Sequence, residues 1–248
     1  MTRDISPKKI GGIYRSDPLR RQVYDYLRDM LISGNLRAGE FVNQSELMST
    51  LGVSRTPLRD SLMQLEAEGF VSIIPCRGVM INPLTLEDIR CIYQIGGALE
   101  AAVCESVFPF VGPGELRSMT GIIEETERLM NDGDYSSCHE NNSAFHEIIL
   151  GLCDNAELLK ILRITRERLY NFPGSEIQSL SPDRDDLARW ESEYWRQHRH
   201  IVGIFKNGTA IEMFDYIRRV HWAFDEMEKS IQSFYHLSAA DAVTLKNN

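Results

Sequence analysis

The sequence has 248 residues, 43% hydrophobic and 25% charged, with 36 acidic against 27 basic side chains. That is ordinary for a globular chain, and the length suits two modest domains or one large one. No apolar run approaches the roughly 18 residues of a membrane helix, and the opening MTRDISPKKI lacks the apolar core of a signal peptide. A cytoplasmic protein with no membrane partner is expected. Five cysteines, an odd number too widely spaced for a Cys-x-x-Cys zinc site, predict reduced and mostly buried thiols.

A net charge of −9 argues against a chain-wide coat of nucleic acid, but the average hides a division. Residues 1–80 carry 11 Lys and Arg against 9 Asp and Glu, a net of +2; the remainder carries 16 against 27, a net of −11. Two domains with different partners are the first expectation.

Residues 1–16 show little periodicity and read as a flexible arm. From Pro18, Leu19, Val23, Tyr26, Leu27, Met30 and Leu31 recur at helical spacing until Gly34. After the turn Leu36–Gly39, a second helix is predicted over about 44–50, with Asn43 as cap and Glu46 three residues on. Gly52 can supply the turn to a third helix over about 55–68, capped by Ser54, with Pro57 in its first turn. Its inward stripe is Leu58, Leu62 and Leu65. Residues 70–74 and 79–81, joined by Pro75–Gly78, read as a β-hairpin. This order is that of a winged helix-turn-helix, placed at 17–82.

Beyond Pro83, through about 240, the chain reads as all helix. Six helices fall at about 85–108, 114–131, 134–153, 155–171, 184–206 and 209–236. The fold class is therefore mostly α: a winged helix-turn-helix of three helices plus hairpin, followed by a six-helix bundle.

A helix entering the major groove of DNA presents its first turns to the bases, so short polar and guanidinium side chains belong there. Here they are Ser54, Arg55, Thr56 and Arg59. Arg55 and Arg59, four apart, share a face and could fork onto guanine or clamp phosphate. Arg77 and Gly78 stand at the hairpin tip, where one cation beside a small backbone could enter the minor groove. In the helical half, Asn142 and His146 share a face with His139, and His198 and His221 lie on the last two helices. Histidines and a side-chain oxygen from three helices could surround a divalent metal. Spacing alone leaves ordinary surface or hydrogen-bonded core histidines open. Tyr93, Phe145, Tyr170, Trp190, Tyr194, Trp195, Phe205, Phe214 and Trp222 read as core residues with no special role.

Residues 18–82 closely resemble the GntR family of bacterial transcription regulators. The matching text is Ser33–Gly39 (SGNLRAG), Ser45–Asp60 (SELMSTLGVSRTPLRD), Leu65–Val71 (LEAEGFV) and Arg77-Gly78. The resemblance implies a homodimer on a pseudo-palindromic operator, with Ser54, Arg55, Thr56, Arg59 and Gly78 touching DNA. Ser45 stands where some relatives carry Arg. Residues 85–236 resemble the FCD (FadR C-terminal) ligand-binding domain, in its shorter VanR-like form, through Ile92–Ala102 (IYQIGGALEAA), Phe145-His146, Asp154-Asn155 and His198–Ile201 leading to Asn207-Gly208.

In metal-binding members of that branch, an Asp four residues before Phe-His and two later histidines hold zinc or nickel, and a carboxylate effector completes the shell. Carried over, the ligands are Asn142, His146, His198 and His221. Three departures stand out. Asn142 replaces the usual Asp; the spacing from Gly208 to His221 is one residue longer than expected; Gly96 replaces an effector-pairing Arg, for which Arg163 or Arg166 could substitute. The implied function is a DNA-binding repressor controlled by a small carboxylate. Two alternatives remain: a helical domain that only dimerises around a degenerate pocket, and a metal-dependent enzyme built on the bundle.

Overall fold

The computed structural model describes residues 18–32, 35–169, 184–225 and 228, so the expected arm at 1–16 and most of the expected helix beyond 225 lie outside it. Two compact units meet at a boundary between Leu84 and Thr85.

The first unit contains α1 (Leu19–Ile32), α2 (Gln44–Leu51), α3 (Arg55–Ala67), β1 (Val71–Ile74) and β2 (Gly78–Ile81). Val23, Leu27 and Leu31 are buried one turn apart on α1, which packs on α3 through the Leu58, Leu62 and Leu65 stripe. Leu19, expected in the α1 stripe, is instead exposed in the first turn. The polar edges of this contact are also satisfied: Ser61 donates to the Arg20 carbonyl at 2.9 Å, and Tyr24 donates to Glu68 at 2.5 Å.

Asn43 caps α2 by accepting from the Glu46 N–H, and Gly52 closes it in the left-handed region at φ 66°, where a side chain would be strained. Ser54 occupies the cap position of α3, but its side chain makes no capping bond, contrary to expectation. The hairpin pairs Val71 with Ile81 and Ile74 with Gly78. The segment before α2 adds a short third rung that the sequence pattern did not show. Val42 N–H donates to the Val79 carbonyl at 2.7 Å, and Ile81 N–H to the Glu40 carbonyl at 2.9 Å.

The second unit holds α4 (Leu86–Val107), α5 (Pro113–Asn131), α6 (Cys138–Leu150), α7 (Ala156–Leu169), α8 (Arg184–Asn207), α9 (Ala210–Tyr216) and a π turn (Ile217–His221). Reciprocal capping boxes, Thr85 with Asp88 and Thr209 with Glu212, start α4 and α9. The third expected helix begins four residues late, because Asp134 accepts from the Ser136 N–H and hydroxyl and holds a local turn instead. α4 packs against α6, α7, α9 and the π turn, while α5 packs against α6 and α8. The thiols depart from expectation. All five are free, but Cys104 and Cys138 alone are buried; Cys153 is half-buried, and Cys76 and Cys91 are exposed.

Candidate DNA-reading face and histidine centre

On the first unit, Ser54, Arg55, Thr56 and Arg59 are all exposed at the start of α3, with Leu58 turned into the core between them. Neither Arg55 nor Arg59 has an ion-pair partner among the described residues, so both guanidiniums project from a helix N-terminus toward solvent. Arg77 is exposed at the hairpin tip, its guanidinium 5.8 Å from the centre of the exposed Phe41 ring. The tip is tight. Cys76 adopts φ 60° and Gly78 φ 112°, a conformation that favours glycine at the second position.

The second unit brings its three expected histidines together. His146 of α6, His198 of α8 and His221 of the π turn are all buried. His198 Nε2 lies 3.2 Å from His146 Nε2 and 2.9 Å from Asn142 Oδ1; His221 Nε2 lies 3.3 Å from His146 Nε2. His139 is half-buried outside this trio, and His200 is exposed and lies against Tyr216. The polar text Trp195–His200 thus divides by helical spacing: Trp195, Gln197 and His198 face inward, Arg196, Arg199 and His200 outward.

The opposite ring nitrogens are each committed to an acceptor. His146 Nδ1 contacts the Glu100 carboxylate, His198 Nδ1 lies 2.9 Å from the Tyr194 carbonyl, and His221 Nδ1 lies 3.1 Å from Gln197 Oε1. With the proton of each neutral ring placed on the Nδ1 that faces an acceptor, the three Nε2 atoms turn lone pairs toward one another and toward Asn142 Oδ1. That oxygen adds a fourth. Burial pushes all three imidazoles below their ordinary range, His221 to about 3, which disfavours filling the centre with a proton.

A divalent ion would resolve the conflict: at about 2.1 Å from each of four tetrahedral donors it would space them roughly 3.4 Å apart, close to the 2.9, 3.2 and 3.3 Å of the contacting pairs here. Outer partners that fix the tautomer of each ring are what a metal-binding histidine requires. The donor set therefore fits the group.

Of the expected aromatic core residues, Phe145, Trp195 and Trp222 are buried, while Tyr93, Trp190, Tyr194, Phe205 and Phe214 are half-buried. Trp195 stacks on the His198 ring at 4.7 Å and Tyr194 on His221 at 5.2 Å, while Phe145 meets His198 edge-on at 4.6 Å. Tyr170 lies outside the described residues. Sequence reasoning missed Glu100. It is fully buried on α4, held by His146, by a 3.1 Å bond from Trp222 Nε1 and by Arg166 at 3.8 Å. Burial opposes its charge, but the contact with His146 and the nearby Arg166 guanidinium outweigh burial and hold the carboxyl below the usual carboxylate range. The available signal was one acid inside the otherwise uncharged run Ile92–Ala102.

Two of the sequence's irregularities have structural counterparts. The segment between Gly208 and His221, expected to run one residue longer than the family pattern, contains a π turn whose i→i−5 bond from Trp222 N–H to the Ile217 carbonyl is 3.0 Å. A π turn takes up one inserted residue without displacing its neighbours, and His221 reaches the centre. At Gly96 the indole of Trp222 fills the space beside α4. Of the two candidate replacement cations, Arg163 is on the surface, paired with Glu147 at 2.8 Å, and Arg166 is buried beside Glu100.

An exposed arginine-bearing helix with a hairpin wing, joined in one chain to a helical unit with a buried polar centre, is the architecture of a two-part DNA-binding regulator. The chain belongs to the GntR family of bacterial regulatory proteins, whose pattern matches residues 19–81, and carries an FCD domain matching residues 91–221. It is a transcriptional regulator. It is similar to the uncharacterized HTH-type transcriptional regulator YdhC of Bacillus subtilis, 29% identical over 163 residues covering 63% of this chain and 73% of that one. It is also similar to the Nta operon transcriptional regulator of Aminobacter aminovorans, 30% identical over 142 residues covering 56% and 66%. The E. coli McbR/YncC structure shares the fold, with a TM-score of 0.64 at 19% identity, covering 89% of this chain and 98% of that one. Among the described residues, no helix is long and apolar enough to cross a membrane.

Proposed function

We propose that this regulator is a repressor that binds a pseudo-palindromic operator as a homodimer, with reading domains at 17–82 and effector domains at 83–240. Ser54, Arg55, Thr56 and Arg59 contact DNA from α3, and Arg77 and Gly78 from the wing. A divalent metal, zinc or nickel, is held by Asn142, His146, His198 and His221, and a small carboxylate effector completes its shell. The observation that carries the reading is the meeting of three imidazole Nε2 atoms and one amide oxygen, each imidazole with an acceptor at its far nitrogen.

The metal's chemistry here is Lewis acidity toward an anionic ligand. Its protein donors are all neutral, so the ion keeps its full charge for the effector. Glu100 holds the tautomer of His146, and Tyr194 and Gln197 hold the other two rings. Control of DNA needs only a difference in effector affinity between two arrangements of the dimer; tenfold in operator affinity corresponds to about 1.4 kcal/mol of coupling.

The test is elemental analysis of freshly purified protein, followed by operator binding with and without a chelator. About one equivalent of metal per chain, lost in His146→Ala and His198→Ala, supports the reading. Less than ~0.1 equivalent, with no thermal shift on adding zinc or nickel, instead supports a pocket that only dimerises. Trp222 on Gly96 is the observation that favours this second reading.

A further inference from the structure

Trp222 touches the centre in three ways that the metal reading does not use. Its backbone N–H closes the π turn onto the Ile217 carbonyl at 3.0 Å, directly after the ligand His221. Its side chain lies on two consecutive glycines of α4. A Cβ on Gly97 would stand 2.7 Å from Trp222 Cβ, and one on Gly96 would stand 2.8 Å from the indole ring. Its Nε1 donates to Glu100 Oε2 at 3.1 Å, and the other oxygen of that carboxylate holds His146 Nδ1. Tyr93, edge-on at 5.3 Å, backs the indole from the α4 side.

Trp222 bears on two of the three histidines. The seating of its side chain on Gly96 and Gly97 fixes the backbone directly after His221, and its indole N–H restrains the carboxylate that orients His146. We infer that Trp222, seated in the notch made by Gly96 and Gly97, is a positioning residue that sets the geometry and affinity of the metal centre. The glycine pair is the complement of the indole: neither position tolerates a side chain while Trp222 stays in place. Without the indole N–H, Oε2 of Glu100 loses its hydrogen bond and keeps only the Arg166 guanidinium at 3.8 Å, so the carboxylate is less firmly held against His146. The inference rests on the reading of the histidines as metal ligands.

Cobalt(II), titrated into metal-stripped full-length protein, tests it. Visible absorption reports coordination geometry, and competition with a chelator reports affinity. Wild type is expected to bind one equivalent. Trp222→Phe keeps an aromatic ring on the glycines but removes the donor, and should weaken cobalt binding by roughly 10- to 100-fold with altered bands. Gly97→Ala leaves Trp222 in the sequence but displaces it, and should act in the same direction; it serves also if Trp222→Phe folds poorly. In a Glu100→Gln background, Trp222→Phe should cost less than it does alone. Equal affinity and unchanged bands in both Trp222→Phe and Gly97→Ala overturn the inference and leave the metal reading intact. Full additivity with Glu100→Gln overturns the route through Glu100. Absence of cobalt binding by wild type overturns both readings.

Discussion

The recognition helix and the histidine centre hold their functional groups in opposite states. Arg55, Arg59 and Arg77 are exposed, and the first two have no ion-pair partner among the described residues. His146, His198 and His221 are buried, and every ring nitrogen faces another polar atom. An exposed arginine costs the fold almost nothing and waits for a phosphate or base. A buried set of facing lone pairs costs the fold until a cation neutralises it. The first kind of site is separable from stability; the second is built from it.

The contrast can be broken at several points, taken from the largest expected effect to the smallest. His146→Ala should lose the metal and also destabilise the fold by about 3–5 kcal/mol, because Glu100 keeps its buried charge without its imidazole. Metal content and a urea midpoint measure the two together; an unchanged midpoint would separate the centre from the core.

The next effect is acid lability of the metal-stripped protein. A buried imidazole held below its ordinary value stays neutral in the folded chain, so the unfolded chain takes up the proton first. Its contribution is intact above pH ~6.5 and falls as pH drops toward the folded value, about 3 for His221, by about 1.4 kcal/mol per unit per imidazole. Urea midpoints at pH 7.5 and 5.5 should fall apart without metal; equal midpoints would contradict a neutral trio.

Arg55→Ala and Arg59→Ala should each weaken specific operator binding by roughly 1–3 kcal/mol, while unfolding shifts by no more than about 0.5 kcal/mol. A mobility-shift titration beside a thermal melt checks both halves, and operator affinity that does not move defeats the contact assignment. Smallest is Asn142→Asp. A charged oxygen in place of the amide should tighten metal by about tenfold, roughly 1.4 kcal/mol, and lower stability once the metal is stripped. Chelator competition reads the gain, and weaker binding in the variant would remove Asn142 from the shell.

The DNA-reading face was legible because everything that builds it is local. Helix caps, the Gly52 turn and the Leu58, Leu62 and Leu65 stripe all act within a few residues, so arginines placed between buried leucines must point outward. The histidine centre was legible only as a set of names. His146, His198 and His221 could be carried over by position, but no local periodicity or cap shows that they converge, or sets a buried histidine such as His198 apart from the exposed His200 two residues on. Local chemistry misled at two places, Ser54, whose side chain leaves the cap unmade, and Asp134, whose turn delayed α6.

By itself, the sequence determined the class of most elements, the division into a nearly neutral first unit and an acidic second one, and which side chains reach solvent at the start of α3. Those features arise from periodicities and caps that short-range sterics enforce. Only the tertiary structure decided that Glu100 stands behind His146, that a π turn carries His221 into the centre, and that Trp222 fills the notch at Gly96 and Gly97. Each joins residues between 46 and 126 positions apart or depends on one backbone bond of unusual length in sequence, and burial alone makes such meetings consequential.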